Sequence, residues 1–373
     1  MFDAPSIPFT LLAFIAVLGP LVFFHELGHY LVGRWCGIRA EIFSIGFGRE
    51  VLGWTDKRGT RWKVGWLPLG GYVQFAGDSD PVSTPHEVKG SEPEGSFAAA
   101  ALWKRSLTVL AGPMANFLLA IVILTVFLAT YGRIGTPPVA EVVQPNSAAA
   151  EAGIEPGDRI ISVDGRTMDS FPDIPMAVVH RAGEPLSIVI ERDGAQRTVT
   201  ITPRLVEEKD QFGNVIKRGL LGIGNRSVEL MPVAWHEAPV AAIEECWAIT
   251  RQIGEVMGQL LFGQRSIKDL GGPLAIAKAS GEQASLGIVP FIMFVAMVSL
   301  NLGFVNLLPL PMLDGGHLLF NLIEAVRRRP VSIATQQWAF RVGFAVLATL
   351  MLIVTFNDLS GFGLWQKLAG LIG

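Results

Sequence analysis

Four apolar runs decide what this chain can fold into, because each is long enough to cross a lipid bilayer. They cover residues 8–33, 107–131, 286–308 and 338–356, and about 20 apolar residues of helix span a hydrocarbon core of roughly 30 Å. Half of the residues are hydrophobic and 17% are charged, a composition typical of membrane proteins. The sequence therefore predicts a polytopic α-helical membrane protein with four transmembrane helices.

The first run is interpreted as a retained transmembrane helix and not as a cleaved secretory signal. No Lys or Arg precedes Phe9, and no small-residue cleavage site follows the run, whereas a signal peptide has both features.

Basic residues beside the apolar runs predict the orientation of the chain. The segment between the third and fourth runs carries three consecutive arginines at 327–329. The segment between the first and second runs carries Arg34, Arg39, Arg49, Lys57, Arg58, Arg61, Lys63, Lys104 and Arg105. The positive-inside rule places both segments in the cytoplasm and both termini outside. Cys36 and Cys246 then lie on opposite sides, so no disulfide is expected.

The inner segment, residues 36–106, is predicted to be a membrane-associated β region followed by a flexible loop. Residues 41–75 are rich in β-branched, aromatic and glycine residues, and "RWKVGW" alternates with a period of two, which favours a hairpin or small sheet. Residues 76–100 are rich in Pro, Gly, Ser and acidic residues, which is typical of a loop.

The outer segment contains a compact, mainly β domain predicted at residues 136–226. Asp193-Gly194 lies between two alternating runs, a strong hairpin signal. "SAAAEAGIEPGDRIISVDG" and "RGLLGIG", the latter at Arg218–Gly224, resemble the signature and the peptide-binding loop of a bacterial PDZ domain. Such a domain binds extended peptides, although a structural spacer remains the alternative.

The remaining segments complete the predicted organisation. Residues 227–284 are expected to form an amphipathic helix over 232–262 and then, around "SIKDLGGPLAIAKASG", a loop. The transmembrane segments are assigned to residues 1–35, 107–131 and 285–325, and residues 326–373 hold the fourth helix and a C-terminal tail.

The motif "HELGH" near the end of the first run places three ionisable side chains in an apolar helix, which is costly unless they have a function. His25 and His29 are four residues apart, so both imidazoles can reach one metal ion from the same helix face. Glu26 points to the neighbouring edge of that face, where it can touch a metal-bound water. Alone, a five-residue pattern of this kind recurs by chance.

A third ligand is sought in the other apolar runs, because a catalytic zinc site normally has three protein ligands and an open position. Asp314 is the only carboxylate in the stretch 285–322, directly after the helix-breaking Pro309 and Pro311. A helix N-cap is the alternative role for Asp314. His317 is expected to support the site or face solvent, and Asn306 either bonds exposed backbone or holds a substrate strand.

Taken in order, "HELGH", "SIGFG", "PLGGYV", "AGPMANF", the PDZ-like domain and "NLLPLPMLDGG" closely resemble the site-2 protease family. Within it, the chain is similar to the bacterial regulator of sigma-E protease branch. Some members of that branch carry two tandem PDZ domains, whereas this sequence shows one such signature.

The resemblance implies an intramembrane zinc metalloprotease of the bacterial inner membrane, with both termini and the PDZ-like domain in the periplasm. His25, His29 and Asp314 would bind Zn²⁺ and Glu26 would transfer protons. The substrate would be a single-span membrane protein, most simply a previously trimmed anti-sigma factor, with the PDZ-like domain as a gate.

A helical substrate must be unwound before its carbonyls can be attacked, and the freed backbone groups need partners. The strand edge around Gly70, Gly71 and Tyr72, together with Asn306, is predicted to supply them.

Two other functions are compatible with parts of the sequence. A catalytically silent membrane scaffold would use the PDZ-like domain and a structural metal, but it would not need Glu26. A metal transporter would carry ionisable groups at several depths, and the second and fourth runs offer almost none. No basic stripe accompanies the net charge of −3, so a nucleic-acid partner is not expected.

Overall fold

A computed structural model of the protein describes residues 5–77, 95–179, 181–209, 215–227, 229–263 and 271–361. Most of the loop predicted at 76–100 and the C-terminal tail lie outside these residues. The chain forms two compact units, here called the helical unit (Met1–Val126 with Glu237–Gly373) and the β-rich unit (Phe127–His236).

The helices of the described residues are α1 (Ile7–Trp35), α2 (Leu102–Tyr131), α3 (Ala148–Glu151), α4 (Asp173–Val178), α5 (Ala238–Leu261), α6 (Pro273–Ser285), α7 (Ile288–Asn306), α8 (Asp314–Arg327) and α9 (Ile333–Gly361). The strands are β1 (Ala40–Thr55), β2 (Arg61–Phe75), β3 (Arg133–Gly135), β4 (Val139–Ala140), β5 (Val142–Val143), β6 (Asp158–Val163), β7 (Arg166–Thr167), β8 (Leu186–Arg192), β9 (Ala195–Ile201), β10 (Arg204–Lys209), β11 (Val215–Leu220), β12 (Ile223–Gly224) and β13 (Glu229–Met231).

The four predicted apolar helices are confirmed. Helices α1, α2, α7 and α9 are each long and apolar enough to cross a membrane. Helices α1, α2 and α9 extend beyond their apolar runs, because flanking polar residues such as Lys104 and Arg105 continue the helical backbone. Helix α7 is instead shorter than its run at both ends.

The third predicted segment is broken at its proline motif. Helix α7 ends at Asn306 and α8 begins at Asp314, so Pro309 and Pro311 occupy the connection, where neither interrupts a helical hydrogen bond. Gly315 lies so close to the carbonyl oxygens of Leu307 and Leu308 that a Cβ there would overlap with both. This close approach places the start of α8 against the end of α7.

Strands β1 and β2 bend over each other to form a curled sheet. Residues 40–45 of β1 pair with residues 71–75 of β2 on one side. On their other side, residues 42–45 pair with residues 61–64 of β2. Residues 61–64 also pair with residues 52–55 of β1. The order across the sheet is therefore 71–75, 40–45, 61–64, 52–55. The stretch 71–75 is one edge of this sheet.

This sheet packs on α1 through an aromatic core. Phe43 stacks on Trp62 with ring centroids 4.2 Å apart, and Tyr30 of α1 contacts both rings edge-on. Phe75 of β2 and Ile38, in the connection between α1 and β1, belong to the same buried cluster. The packing fixes the sheet beside the helix that carries "HELGH".

The segment before α7 corrects one prediction. The stretch "SIKDLGGPLAIAKASG" is predicted to be a loop, but from Pro273 onward it belongs to α6, which has Gly272 as its N-cap. Gly-Gly-Pro does not exclude a helix here, because proline fits the first helical turn, where its missing N–H is not needed. The buried carboxylate of Asp358 in α9 accepts hydrogen bonds from the N–H groups of Gly272 (3.2 Å) and Ala275 (3.0 Å) and so satisfies the start of α6.

The β-rich unit is built around an antiparallel sheet. Its strand order is β4-β6-β8-β9, with β7 paired to β6. The predicted hairpin joins β8 to β9, and both Asp193 (φ 52°) and Gly194 (φ 76°) have positive φ angles, as a type I′ turn requires. Ile160, Leu186 and Ile188 are fully buried in its core.

A buried ion pair links two strands of this sheet. Asp158 at the start of β6 is 1% exposed and accepts hydrogen bonds from Nε and Nη2 of Arg192 at the end of β8, each 2.7 Å long. Hydrogen bonds from Arg192 hold the pKa of the Asp158 carboxyl below its usual range.

Replacement of Asp158 by Asn is expected to destabilise the β-rich unit by about 1.5–3 kcal/mol, because a charged hydrogen-bonded pair is lost while Arg192 keeps its charge. Since the folded-state pKa of Asp158 is lowered, its stabilising contribution is complete above the unfolded pKa of about 3.9 and is lost as the pH falls through the folded value. Amide hydrogen exchange of β6 and β8 in the full chain measures both effects.

Glu184→Gln is the matched control, because Glu184 and its partner Arg181 are 56% and 42% exposed. An exposed pair contributes about 0–1 kcal/mol. Equal losses of protection in the two variants would show that burial of the Asp158–Arg192 pair is not what stabilises the sheet.

Candidate metal centre

Helix α1 brings two imidazoles to one point. His25 and His29 lie one helical turn apart, and their Nε2 atoms are 3.3 Å from each other. Both residues are largely buried, as is Glu26 between them at 9% exposure. The spacing of four residues thus places both ring nitrogens on one face, as predicted.

Asp314 completes the cluster from the start of α8. Its Oδ2 is 3.2 Å from Nε2 of His25 and its Oδ1 is 3.5 Å from Nε2 of His29. One ligand atom from each of the three residues lies within 4.8 Å of the others. The N-cap of α8 is Leu313, so Asp314 does not cap this helix, which was the alternative role considered for it.

The donor set fits a divalent metal ion. Two imidazole nitrogens and one carboxylate are the ligands of many catalytic zinc sites, in which a fourth position stays open. The same set also accepts other first-row metals.

Helix α2 contacts the Nδ1 atoms of both imidazoles, on the side away from the cluster. Nδ1 of His29 is 2.9 Å from the carbonyl oxygen of Thr108, and a carbonyl can only accept, so Nδ1 carries the proton and the Nε2 lone pair faces the cluster. Nδ1 of His25 is 3.2 Å from Nδ2 of Asn116. Both contacts were missed from sequence, although Asn116 is a polar residue in an apolar run and could have been flagged for that reason.

Small residues let α1 and α2 approach each other. A Cβ on Gly112 would overlap with Nε2 of His29, and a Cβ on Gly28 would overlap with the carbonyl oxygen of Ala111. The "AGPMANF" motif of α2 therefore leaves room for the ring of His29 through Gly112 and contacts the ring of His25 through Asn116.

Glu26 lies between the metal cluster and the edge of the sheet. Its carboxylate accepts a hydrogen bond from the backbone N–H of Val73. The backbone of Gly71 packs directly on its side chain, since a Cβ there would lie 3.0 Å from Cγ of Glu26. The β sheet thus positions the proposed proton acceptor.

All eight residues predicted for the site line one cavity of about 340 Å³. They are His25, Glu26, His29, Gly70, Gly71, Tyr72, Asn306 and Asp314. Asn306 is the last residue of α7.

Two further residues of the cavity stand out. His317 lines it one turn after Asp314 and packs on the ring of Phe340, with ring centroids 5.1 Å apart. Met312 precedes Asp314 with a φ of 86°, a left-handed conformation that is uncommon for a residue with a side chain and costs of order 1–3 kcal/mol. The strain lies in the segment that presents Asp314.

Comparisons with known proteins extend over nearly the whole chain. The sequence profile of peptidase family M50 matches residues 13–350. Proteins named "Putative zinc metalloprotease" are 45% identical to this chain in Agrobacterium fabrum, over 93% of this chain and 94% of that protein, and in Mesorhizobium japonicum, over 94% and 99%. Metalloprotease MmpA of Caulobacter vibrioides is 37% identical over 97% of this chain and 98% of that protein.

Proposed function

The chain belongs to peptidase family M50, the site-2 protease family, and on that premise we propose that it is an intramembrane zinc metalloprotease. It hydrolyses a peptide bond in or near the transmembrane segment of a single-span membrane protein. The observation that carries this proposal is the meeting of His25, His29, Asp314 and Glu26 in one cavity of a unit with four helices able to cross a membrane.

The three ligands and Glu26 divide the chemistry between them. His25, His29 and Asp314 would hold Zn²⁺, which when bound lowers the pKa of water and polarises a carbonyl. Glu26 accepts the proton of the attacking water and returns it to the leaving amine. The hydrogen bond from Val73 keeps the Glu26 carboxylate at the cavity wall.

The strand at residues 71–75 is proposed to bind the substrate backbone. It pairs with residues 40–45 on one side, and no other described strand pairs with its second side. N–H groups alternate between the two sides of a strand. The N–H of Ala76 points toward β1, since it donates to the carbonyl oxygen of Arg39, and the N–H of Val73 points away from β1, toward Glu26. By the same alternation, the N–H of Gly71 also points away from β1, on the outward side of the strand.

An extended substrate that pairs with this edge would lie beside Glu26. Its backbone groups, freed by unwinding, would find partners at Gly71 in a water-poor site. Gly70 and Tyr72 flank that position, and Asn306 lines the same cavity. This arrangement explains why a strand edge accompanies a metal centre in a membrane protein.

The β-rich unit is proposed to contain the PDZ-like domain and to act as a gate. Strand β12 follows Gly222, which has a φ of 79°, and pairs with β5 on one side only among the described strands. PDZ domains add extended peptides to such an edge. Substrates with large outer domains would be excluded, so that cleavage follows an earlier cut, as for a trimmed anti-sigma factor.

The chain is proposed to lie in a bacterial inner membrane with both termini and the β-rich unit on the periplasmic side. The basic residues between α1 and α2 and at 327–329 support this orientation through the positive-inside rule.

Cleavage of a single-span substrate by the purified protein in detergent tests the proposed reaction. Glu26→Gln should keep bound zinc but lower the cleavage rate by roughly 10²–10⁴-fold, because the proton acceptor is removed. Glu255→Gln, at a side chain that is 59% exposed in α5, is the matched control and should cleave normally. If neither the wild type nor the variants cleave any of several substrates while zinc is bound, a scaffold function replaces the protease.

The strand-edge proposal is tested by comparing Gly71→Pro with Gly71→Ala. Both substitutions add the same Cβ, which would lie against the carbonyl oxygen of Ser44 and the side chains of Val22 and Glu26. Only proline also removes the outward N–H. Cleavage should therefore fall at least about tenfold further in the proline variant, which corresponds to one lost hydrogen bond of roughly 1.4 kcal/mol. Equal cleavage rates in two zinc-loaded variants would show that this N–H does not bind substrate.

The gate is tested by deleting residues 136–226. The shortened protein should keep zinc and cleave the single-span substrate, and it should also cleave substrates that retain a large outer domain, because nothing excludes them. A folded, zinc-loaded deletion variant without activity would contradict a pure gate, and unchanged substrate choice would contradict any gating.

A further inference from the structure

Asn116 is an amide buried in the middle of an apolar helix. It is 0% exposed, and its Nδ2 lies 3.2 Å from Nδ1 of His25. Its backbone carbonyl accepts a 2.8 Å hydrogen bond from Oγ of Ser299 in α7, which is also 0% exposed. Because a buried amide costs free energy unless it is hydrogen-bonded, this contact to an imidazole calls for an explanation.

We propose that Asn116 is a positioning residue that fixes the proton of His25 on Nδ1, so that the Nε2 lone pair faces the metal. This inference rests on the metal centre of the proposed function and adds a residue that does not itself touch metal or substrate. A neutral imidazole has one N–H donor and one acceptor. Binding through Nε2 therefore requires a hydrogen-bond acceptor opposite Nδ1.

The amide of Asn116 can supply that acceptor. Its Oδ1 is buried and has no hydrogen-bond partner among the described residues, and half a turn about the bond to the amide carbon exchanges Oδ1 with Nδ2. After this turn Oδ1 accepts from Nδ1–H of His25. With Nδ2 toward the ring instead, the amide would donate to Nδ1 and place the imidazole proton on Nε2, where it blocks coordination.

The second histidine of the site shows the same arrangement. Nδ1 of His29 faces the carbonyl oxygen of Thr108, which is an acceptor only. Thr108 and Asn116 both belong to α2, so one helix would fix the tautomers of both ligands. Partners of this kind orient metal-bound imidazoles and change metal affinity by roughly 10–100-fold when removed.

Two substitutions separate the acceptor role from packing. Asn116→Leu has a similar size but no polar atom, whereas Asn116→Asp is an acceptor in either orientation. We expect the zinc dissociation constant of the purified full-length protein, measured by competition with a chromophoric chelator, to rise roughly 10–100-fold in the leucine variant and to stay near the wild-type value in the aspartate variant. Asn301→Leu, at an exposed position of α7, is the control and should bind zinc normally.

The melting temperature of the chelator-stripped protein shows whether a variant is folded, and if the leucine variant is not, Asn116→Ala gives the same comparison. A leucine or alanine variant that binds zinc as tightly as the wild type overturns the proposal. So does an aspartate variant as weak as leucine, because an acceptor would then not be enough. If the wild type itself binds no zinc, the metal centre of the proposed function fails first.

Discussion

The cost of burying polar side chains in an apolar environment governs the helical unit. His25, Glu26, His29 and Asp314 are carried by apolar or broken helices, where each polar group must find a partner inside the protein. The described contacts meet part of this demand: His29 has a carbonyl opposite Nδ1, and Glu26 has a strand N–H. Oδ2 of Asp314 is buried without a hydrogen-bond partner among the described residues, although Nε2 of His25 lies 3.2 Å away. Each of these side chains would cost free energy if it were buried alone, and together they act as partners for one another. This explains why elements far apart in sequence meet at the metal site.

Helix α2 provides much of the frame for this convergence, although it contributes no ligand. Thr108 and Asn116 contact the two imidazoles, Gly112 leaves space for one of them, and Arg105 forms a 2.7 Å ion pair with Glu324 of α8. This ion pair links α8, which starts with Asp314, to α2, which contacts both histidines. A change in α2 would therefore affect all three ligands, although α2 supplies none of them.

The sequence predicted the four apolar helices, the family and a set of residues that line one cavity, because apolar length and the spacing of "HELGH" are local properties. It did not predict the contact of Asn116 with His25, since the pairing of two helix faces is not encoded in either helix alone. It also missed α6, whose Gly-Gly-Pro start was interpreted as a loop. The order of the curled sheet was likewise beyond reach, because strands β1 and β2 each bend and pair twice.

The curled sheet of β1 and β2 is attached to α1 by one carboxylate. Asp56 in the turn between β1 and β2 accepts hydrogen bonds from the N–H groups of Arg58 and Thr60, from Nε1 of Trp62 and, at 3.2 Å, from the hydroxyl of Tyr30. Tyr30 directly follows His29 in α1. A slip of one residue in the sheet would turn side chains to the opposite face and break these contacts. Two carboxylates therefore stabilise the register that places Gly71 and Val73 beside Glu26. Glu26 contacts the edge strand, and Asp56 contacts the turn and Tyr30.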